Sequence, residues 1–245
     1  MTTPEIKVFP DPTAVARAAA DRIVRAADKA ISATGRFTIA LAGGSTPKML
    51  YELLAANEYR DRIDWTKCEV YFGDERTVPP DHSESNYRMG KDALLCPVSI
   101  PPRNVHRMRG ELDPQEAAKE YGQLLKGKFG DGGLDMVLLG MGDDGHTASL
   151  FPHTAAIDEP KHRCVANYVE KLNTWRITMT APFINRASEV LILITGQGKA
   201  ARVSEVLEGS RDPHRLPIQL IAPEHGSLTW LLDVPAAGTH EEHDA

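Results

Sequence analysis

The stretch Leu134–Pro152, LDMVLLGMGDDGHTASLFP, decides how the rest of the chain is read. Its apolar run Met136–Leu139 has the length and composition of a strand buried on both faces. Gly140, Gly142 and Gly145 follow, and among them stand Asp143, Asp144 and then His146. Thr147–Leu150 reads as the first turn of a helix. The strand thus ends in a tight loop that displays carboxylates and an imidazole. In an open parallel sheet the carboxyl ends of strands are where ligands bind.

Outward from this stretch, the same unit of apolar run, glycine loop and helix recurs. Asp11-Pro12 predicts a helix start, with Asp as N-cap and Pro in the first turn. Val15, Ala19, Ile23, Ala26, Ala30 and Ile31 keep helical spacing through about Thr34, and Gly35 ends the helix. Phe37–Ala42 predicts a buried strand that breaks at Gly43-Gly44-Ser45-Thr46-Pro47, with a helix over Lys48–Ala56. Val70–Phe72 predicts a third strand, stopping at Gly73-Asp74-Glu75-Arg76. A polar loop, Val78–Ser85, is the candidate for a mobile cover. A helix is expected from Asn86 to Leu95, a short strand at Val105–Met108, and a helix from Asp113-Pro114 to about Lys126. Further strands are expected at Cys164–Val169, Arg176–Thr180, Glu189–Thr195 and Pro217–Ala222, with a helix after Gly196–Lys199. Residues 1–235 are expected to form one α/β domain with a mainly parallel sheet covered on both faces, and Ala236–Ala245 a disordered tail.

Composition bounds the function. The 245 residues carry a net charge of −6, which argues against general nucleic-acid binding, since a basic face would be expected there. It leaves room for a local basic pocket that takes an acidic metabolite. No run approaches the roughly 18 apolar residues that span a bilayer, and the N-terminus lacks the pattern of a secretory signal. A cytoplasmic setting is expected. Cys68, Cys96 and Cys164 form no CxxC pair and are expected to be reduced thiols.

Several residues have chemistry to offer. Gly43–Thr46 joins a strand to a helix, where free N–H groups and the helix dipole suit a phosphate, although many such turns need glycine for sterics alone. It is not a P-loop. Lys199 and Arg176, both beside strands, are the cations such a site would draw on. Asp74 could move a proton or orient water, and Arg76 could hold an anion, although an Asp cap and a structural Asp/Glu–Arg pair are the commoner fate of such residues. His146, with an ordinary pKa of about 6.5, is largely neutral at pH 7 and able to take a proton. Asp144 could orient it. Zinc binding by Asp144, His146 and His153 lacks any paired-His spacing, and Ser149 lies in no nucleophile elbow.

Taken together, LAGGSTP (Leu41–Pro47), FGDERTVPPDHSESNY (Phe72–Tyr87), GMGDDGHTASLFP (Gly140–Pro152), RITMTAPFINRA (Arg176–Ala187) and ITGQGKA (Ile194–Ala200) closely resemble the 6-phosphogluconolactonase branch of the glucosamine-6-phosphate isomerase/deaminase family. The deaminase branch is similar at GGxTP and GxGxDGH but usually carries a DEY-type motif where this chain has Asp74-Glu75-Arg76. The resemblance implies a Rossmann-like three-layer α/β/α fold, hydrolysis of 6-phospho-D-glucono-1,5-lactone in the oxidative pentose phosphate pathway, and no organic cofactor or obligatory metal. It implies His146 as general base with Asp144 beside it, Gly44–Thr46 as the sugar-phosphate loop, and Arg176 and Lys199 as its cations. Asp74 and Arg76 would line the sugar, and Asn86 belongs to the SNY motif. The expected partner is a small sugar phosphate, with neither nucleic acid nor membrane, and the protein is expected to be a monomer or weak homodimer. Two other readings remain. One is an isomerase or deaminase with Asp74 as the base. The other is a non-catalytic sugar-phosphate sensor, which would usually carry a DNA-binding helix-turn-helix that the N-terminus is too short to supply.

Overall fold

A computed structural model describes residues 4–238. Among the described residues nine strands occur in chain order: β1 Glu5–Phe9, β2 Phe37–Leu41, β3 Cys68–Phe72, β4 Asp74–Arg76, β5 Met136–Leu139, β6 Cys164–Val169, β7 Thr174–Met179, β8 Glu189–Ile194 and β9 Ser227–Asp233. Six form an all-parallel sheet in the order β1-β9-β8-β5-β2-β3, and three form a small antiparallel sheet in the order β4-β7-β6. From β2 the chain steps to β3 on one side. It then returns to β5 on the other side and continues through β8 to β9. The β2–β5 border is therefore the topological switch point, where the loops leaving two adjacent strands diverge and open a crevice.

The sheet is buried on both faces, which is why its strands read as continuous apolar runs. In β5, Met136 and Leu138 pack into one core while Val137 and Leu139 pack into the other. The first core is closed by the helices Pro12–Thr34 and Ser45–Ala55. The second is closed by Pro114–Phe129 and Ala200–Glu208, and it also takes Cys164, Ile177 and Met179 from the small sheet. This is a three-layer α/β fold of the kind the motifs implied.

Helix ends follow the sequence closely. The Asp11 side chain accepts from Ala14 N at 2.8 Å, and Gly35 closes the same helix with φ +79. Asp113 accepts from Gln115 N and Glu116 N. Cys68, Cys96 and Cys164 are unpaired.

Four expectations fail locally. Thr147–Leu150 is not a helical turn: Ala148 has φ +47, and Thr147 bridges Leu150 across a tight turn. Val105–Met108 is not a strand, only an isolated bridge from Val105 to Val70. Pro217–Ala222 is not the last interior strand. Pro217–Leu220 is a 3-10 turn whose Ile218 N donates to Gly145 O at 3.0 Å, and the last strand is instead β9. The tail expected from Ala236 begins within the helix Val234–Ala237, where Ala236 and Ala237 are buried. Residues 239–245 of that tail lie outside the described residues. The edge strand β1 had no expectation attached to it.

Where β2 gives way to its loop, the Ala42 peptide loses its ladder partners. Tyr51, fully buried, repairs this: its hydroxyl accepts from Ala42 N at 2.8 Å and donates to Ala42 O at 2.9 Å. Tyr51→Phe leaves both groups of a buried peptide unpartnered and should destabilise the protein by about 1–3 kcal/mol. Urea unfolding measures this, and an unchanged midpoint would refute it.

Candidate active site

A cleft of about 260 Å³ opens at the switch point. Gly43, Gly44, Ser45 and Thr46 after β2, Gly140, Gly142 and His146 after β5, and Thr195 and Lys199 after β8 all line it, together with Asp74, Arg76 and Asn86. Nine of the residues singled out from sequence thus meet in one crevice. The tenth and eleventh, Asp144 and Arg176, stand behind it. A larger cavity, about 760 Å³, lies between the helix Pro114–Phe129 and β6. It shares no residue with the strand ends that form the crevice.

The phosphate-loop end is built by backbone. The helix Ser45–Ala55 points its N-terminus at the cleft, and Gly44, at φ +106, is its N-cap. Thr46 Oγ1 is 2.7 Å from Thr195 Oγ1, which ties the helix start to the end of β8. Beyond Thr195, Gly196 N donates to both Asp233 carboxylate oxygens, at 2.9 and 3.0 Å, which fixes the turn that presents Lys199. The Lys199 ammonium is paired with Asp143. A helix N-terminus and an ammonium facing one cleft are groups that can hold an anion.

The middle of the cleft depends on Glu75, which sequence treated only as part of a motif. It is 2% exposed. Its carboxylate accepts from Arg76 N, Asn86 N and Tyr87 N, each at 2.8 Å, and from Ser85 Oγ at 3.0 Å. Burial pushes its pKa up, and the three backbone donors pull against that. Asp74 is also buried. Its Oδ2 accepts from Ser149 Oγ at 2.6 Å and its Oδ1 from Asn86 Nδ2 at 3.1 Å. Gly43 is required because Asn86 lies against it: a Cβ there would sit 2.1 Å from Asn86 Oδ1. Arg76 Nη1 donates to Glu84 O at 2.6 Å and so braces the Val78–Ser85 loop, which Arg88 also holds through Asp81 O. Arg176 is the cross-strand partner of Arg76, and burial followed by Arg76 itself pushes its pKa down. Two guanidinium groups side by side favour an anion near them.

His146 faces the cleft from the β5 loop. Phe151 stacks on the ring, with centroids 4.0 Å apart and planes at 22°. Gly142 gives it room: a Cβ there would lie 2.0 Å from both Cε1 and Nδ1. Nδ1 is 2.5 Å from Asp144 Oδ1. Asp144 also pairs with Lys171, so it is an ionised acceptor, and Nδ1 carries the proton. Nε2 is then the basic nitrogen left for the cleft. Burial pushes the His146 pKa down to about 4; Lys199 and Arg176 push the same way, against Asp74 and Asp143. The imidazole is therefore neutral at physiological pH. Ser149, Phe151, Lys171 and Thr195 were not identified from sequence as site residues. Ser149 and Phe151 stand inside the quoted GDDGHTASLFP stretch, whereas nothing near Lys171 in sequence marks it. Among the described residues no group of three or more His, Cys, Asp or Glu side chains is arranged to hold a metal ion. No described helix is long and apolar enough to cross a membrane.

An α/β fold with a cleft at its switch point, lined by a helix N-terminus, a lysine and the histidine of an Asp–His pair, defines a class, and the chain belongs to the family described as glucosamine-6-phosphate isomerases/6-phosphogluconolactonase, whose model matches residues 10–230. Within it, a 6-phosphogluconolactonase of Nostoc sp. is 44% identical over 237 residues, covering 94% of this chain and 96% of that protein. One of Synechocystis sp. is 43% identical over 216 residues, covering 85% and 86%. The solved 6-phosphogluconolactonase of Trypanosoma brucei superposes with a TM-score of 0.85 at 30% identity, covering 98% of this chain and all of that one.

Two outcomes follow from the imidazole slot. Gly142→Ala should displace the ring and lower kcat by about 10²-fold while the protein still folds; kinetics with circular dichroism checks this, and wild-type kcat would refute it. The low His146 pKa places protonation of the base below its ordinary range. Turnover should therefore stay level from neutral pH down to about 5 and fall only towards about 4. A limb near 6.5 in the pH–kcat profile would mean the ring is solvated.

Proposed function

We propose that this chain hydrolyses 6-phospho-D-glucono-1,5-lactone to 6-phospho-D-gluconate. Its membership of the family and its identity with relatives named 6-phosphogluconolactonase support the substrate. The observation that carries the chemistry is the contact of His146 Nδ1 with Asp144 Oδ1 on a ring that lines the cleft. With Nδ1 held by Asp144, Nε2 is the nitrogen left for the cleft, which the Ser45 helix terminus and Lys199 also line.

A δ-lactone is an activated ester, so water suffices as nucleophile. His146 Nε2 takes a proton from water as the oxygen attacks C1. Negative charge grows on the carbonyl oxygen, and Arg76 or backbone N–H groups of the cleft stabilise it. The imidazolium then gives its proton to the ring oxygen as the C1–O bond breaks, and the neutral base is restored. Asp144 holds the tautomer and does not itself take the proton. Asp74, with both carboxylate oxygens engaged by Ser149 and Asn86, serves as a fixed negative charge that favours the imidazolium as it forms. The phosphate sits on the N–H groups of Gly44–Thr46 with Lys199, so binding energy far from C1 positions it. Arg176, paired across the small sheet with Arg76, adds positive charge on that side of the cleft. Of the expected unit 1–235, residues 1–3 lie outside the described residues; residues 4–235 act as one α/β unit in this scheme, because one core takes side chains from both sheets.

The test is a coupled dehydrogenase assay on freshly generated lactone, corrected for spontaneous opening, with ammonia release from glucosamine 6-phosphate as the parallel measurement. His146→Ala should lower kcat by about 10²–10⁴-fold. Lys199→Ala should raise KM for the phosphorylated lactone by roughly 10–100-fold and leave unphosphorylated gluconolactone unaffected. Unchanged kcat in the first variant would remove His146 from its role. Ammonia release without lactone hydrolysis would reassign the chain to the deaminase branch.

A further inference from the structure

Lys171 takes no part in the steps above, yet it touches two of the groups that hold the base. It stands in the turn Glu170–Leu172 between β6 and β7, on the small sheet, 27 residues from Asp144 in sequence. Its ammonium pairs with Asp144 Oδ2, the oxygen that His146 does not use. The same ammonium lies 5.2 Å from the centre of the Phe151 ring, the ring stacked on the imidazole. The ion pair is partly open to water, with the Lys171 side chain 53% exposed and Asp144 26%. Pairs of that exposure contribute little to stability, so its consequence lies in geometry and local charge.

We propose that Lys171 is a positioning residue for the base: it anchors the second oxygen of Asp144, which keeps the first on His146 Nδ1–H, and its charge offsets that of Asp144. This rests on His146 acting as the base. A carboxylate hydrogen-bonded at one oxygen can rotate about its last bond, and an anchor on the other oxygen removes that freedom. Unopposed, Asp144 would also stabilise the imidazolium more strongly and make the ring more reluctant to release its proton to the leaving oxygen. The other charged groups facing the imidazole are Asp143 on its own loop, Asp74 on β4, Arg176 on β7 and Lys199 after β8. Arg76 lines the same cleft from β4. All remain when Lys171 is replaced, so a change reports Lys171.

The experiment compares the full-length wild type with Lys171→Met and Lys171→Arg. Nitrogen NMR of the His146 ring, without substrate, reads its tautomer and titration midpoint; lactone hydrolysis across pH reads kcat and KM. In Lys171→Met the midpoint should rise by about half a unit to one unit, and kcat should fall roughly five- to tenfold. KM should stay within about twofold, because the phosphate end is untouched. The melting temperature should not move, as the pair is exposed. Lys171→Arg should keep both the midpoint and kcat near wild type. Lys171→Met with an unchanged midpoint and unchanged kcat overturns the proposal, as does Lys171→Arg behaving like Lys171→Met. The NMR arm needs no turnover, so a wild type inactive on lactone would sink the lactonase reading and still leave the hold of Lys171 on the ring measured.

Discussion

A buried carboxylate with four donors is the constraint on which this site depends. Glu75 would be costly inside the protein if left unpaired, because a desolvated anion pulls strongly for partners. It obtains them from the backbone of Arg76, Asn86 and Tyr87 and from the Ser85 hydroxyl. Those bonds clamp the start of the helix Asn86–Gly90 against β4. The neighbours of Glu75 in sequence are thereby aimed: Asp74 reaches Ser149 and Asn86, and Arg76 reaches into the cleft. Asn86 closes over Gly43, so the carboxylate also orders the edge of the phosphate loop.

The rest of the crevice follows from strand order. Parallel strands place all their carboxyl ends on one edge, and the reversal between β2 and β5 parts the loops there. Each loop is then secured by a side chain from elsewhere. Tyr51 satisfies the Ala42 peptide, Thr147 Oγ1 donates to Gly140 O at 2.8 Å, and Asp233 receives Gly196 N. The active loops therefore sit on a rigid frame, which suits a reaction in which positioning supplies much of the rate.

Much of this frame is legible from sequence because it rests on local signals. β2, β5 and β8 are apolar runs bounded by glycine, and Asp11-Pro12 and Asp113-Pro114 state where helices begin. The misses occur where long-range contacts outweigh those signals. Pro217–Ala222 is as apolar as a strand, but Ile218 and Ile221 are buried in the core and Ile218 N donates to Gly145 O, which holds the segment as a turn. Thr147–Leu150 has helical composition, but Asp74 and Thr178 claim Ser149 and fold the segment into a turn. The site divides the same way. Residues within motifs meet in the cleft, whereas the support of Asp144 by Lys171 and of Asp74 by Ser149 spans 27 and 75 residues and leaves no trace in local pattern.

On the proposed reading, in which Lys199 holds the substrate's phosphate, its pairing with Asp143 bears on how the cleft fills. The Asp143 side chain is 87% exposed and already largely hydrated, whereas Lys199 is 27% exposed and faces inward. An arriving anion thus exchanges with a carboxylate that gives up almost nothing on returning to water, since such pairs contribute about 0–1 kcal/mol. Meanwhile Asp143 keeps the ammonium extended near its working position, so little side-chain freedom remains to be lost on binding. In that reading Asp143 is a resident surrogate anion, holding the lysine ready at the door and yielding it to a stronger competitor.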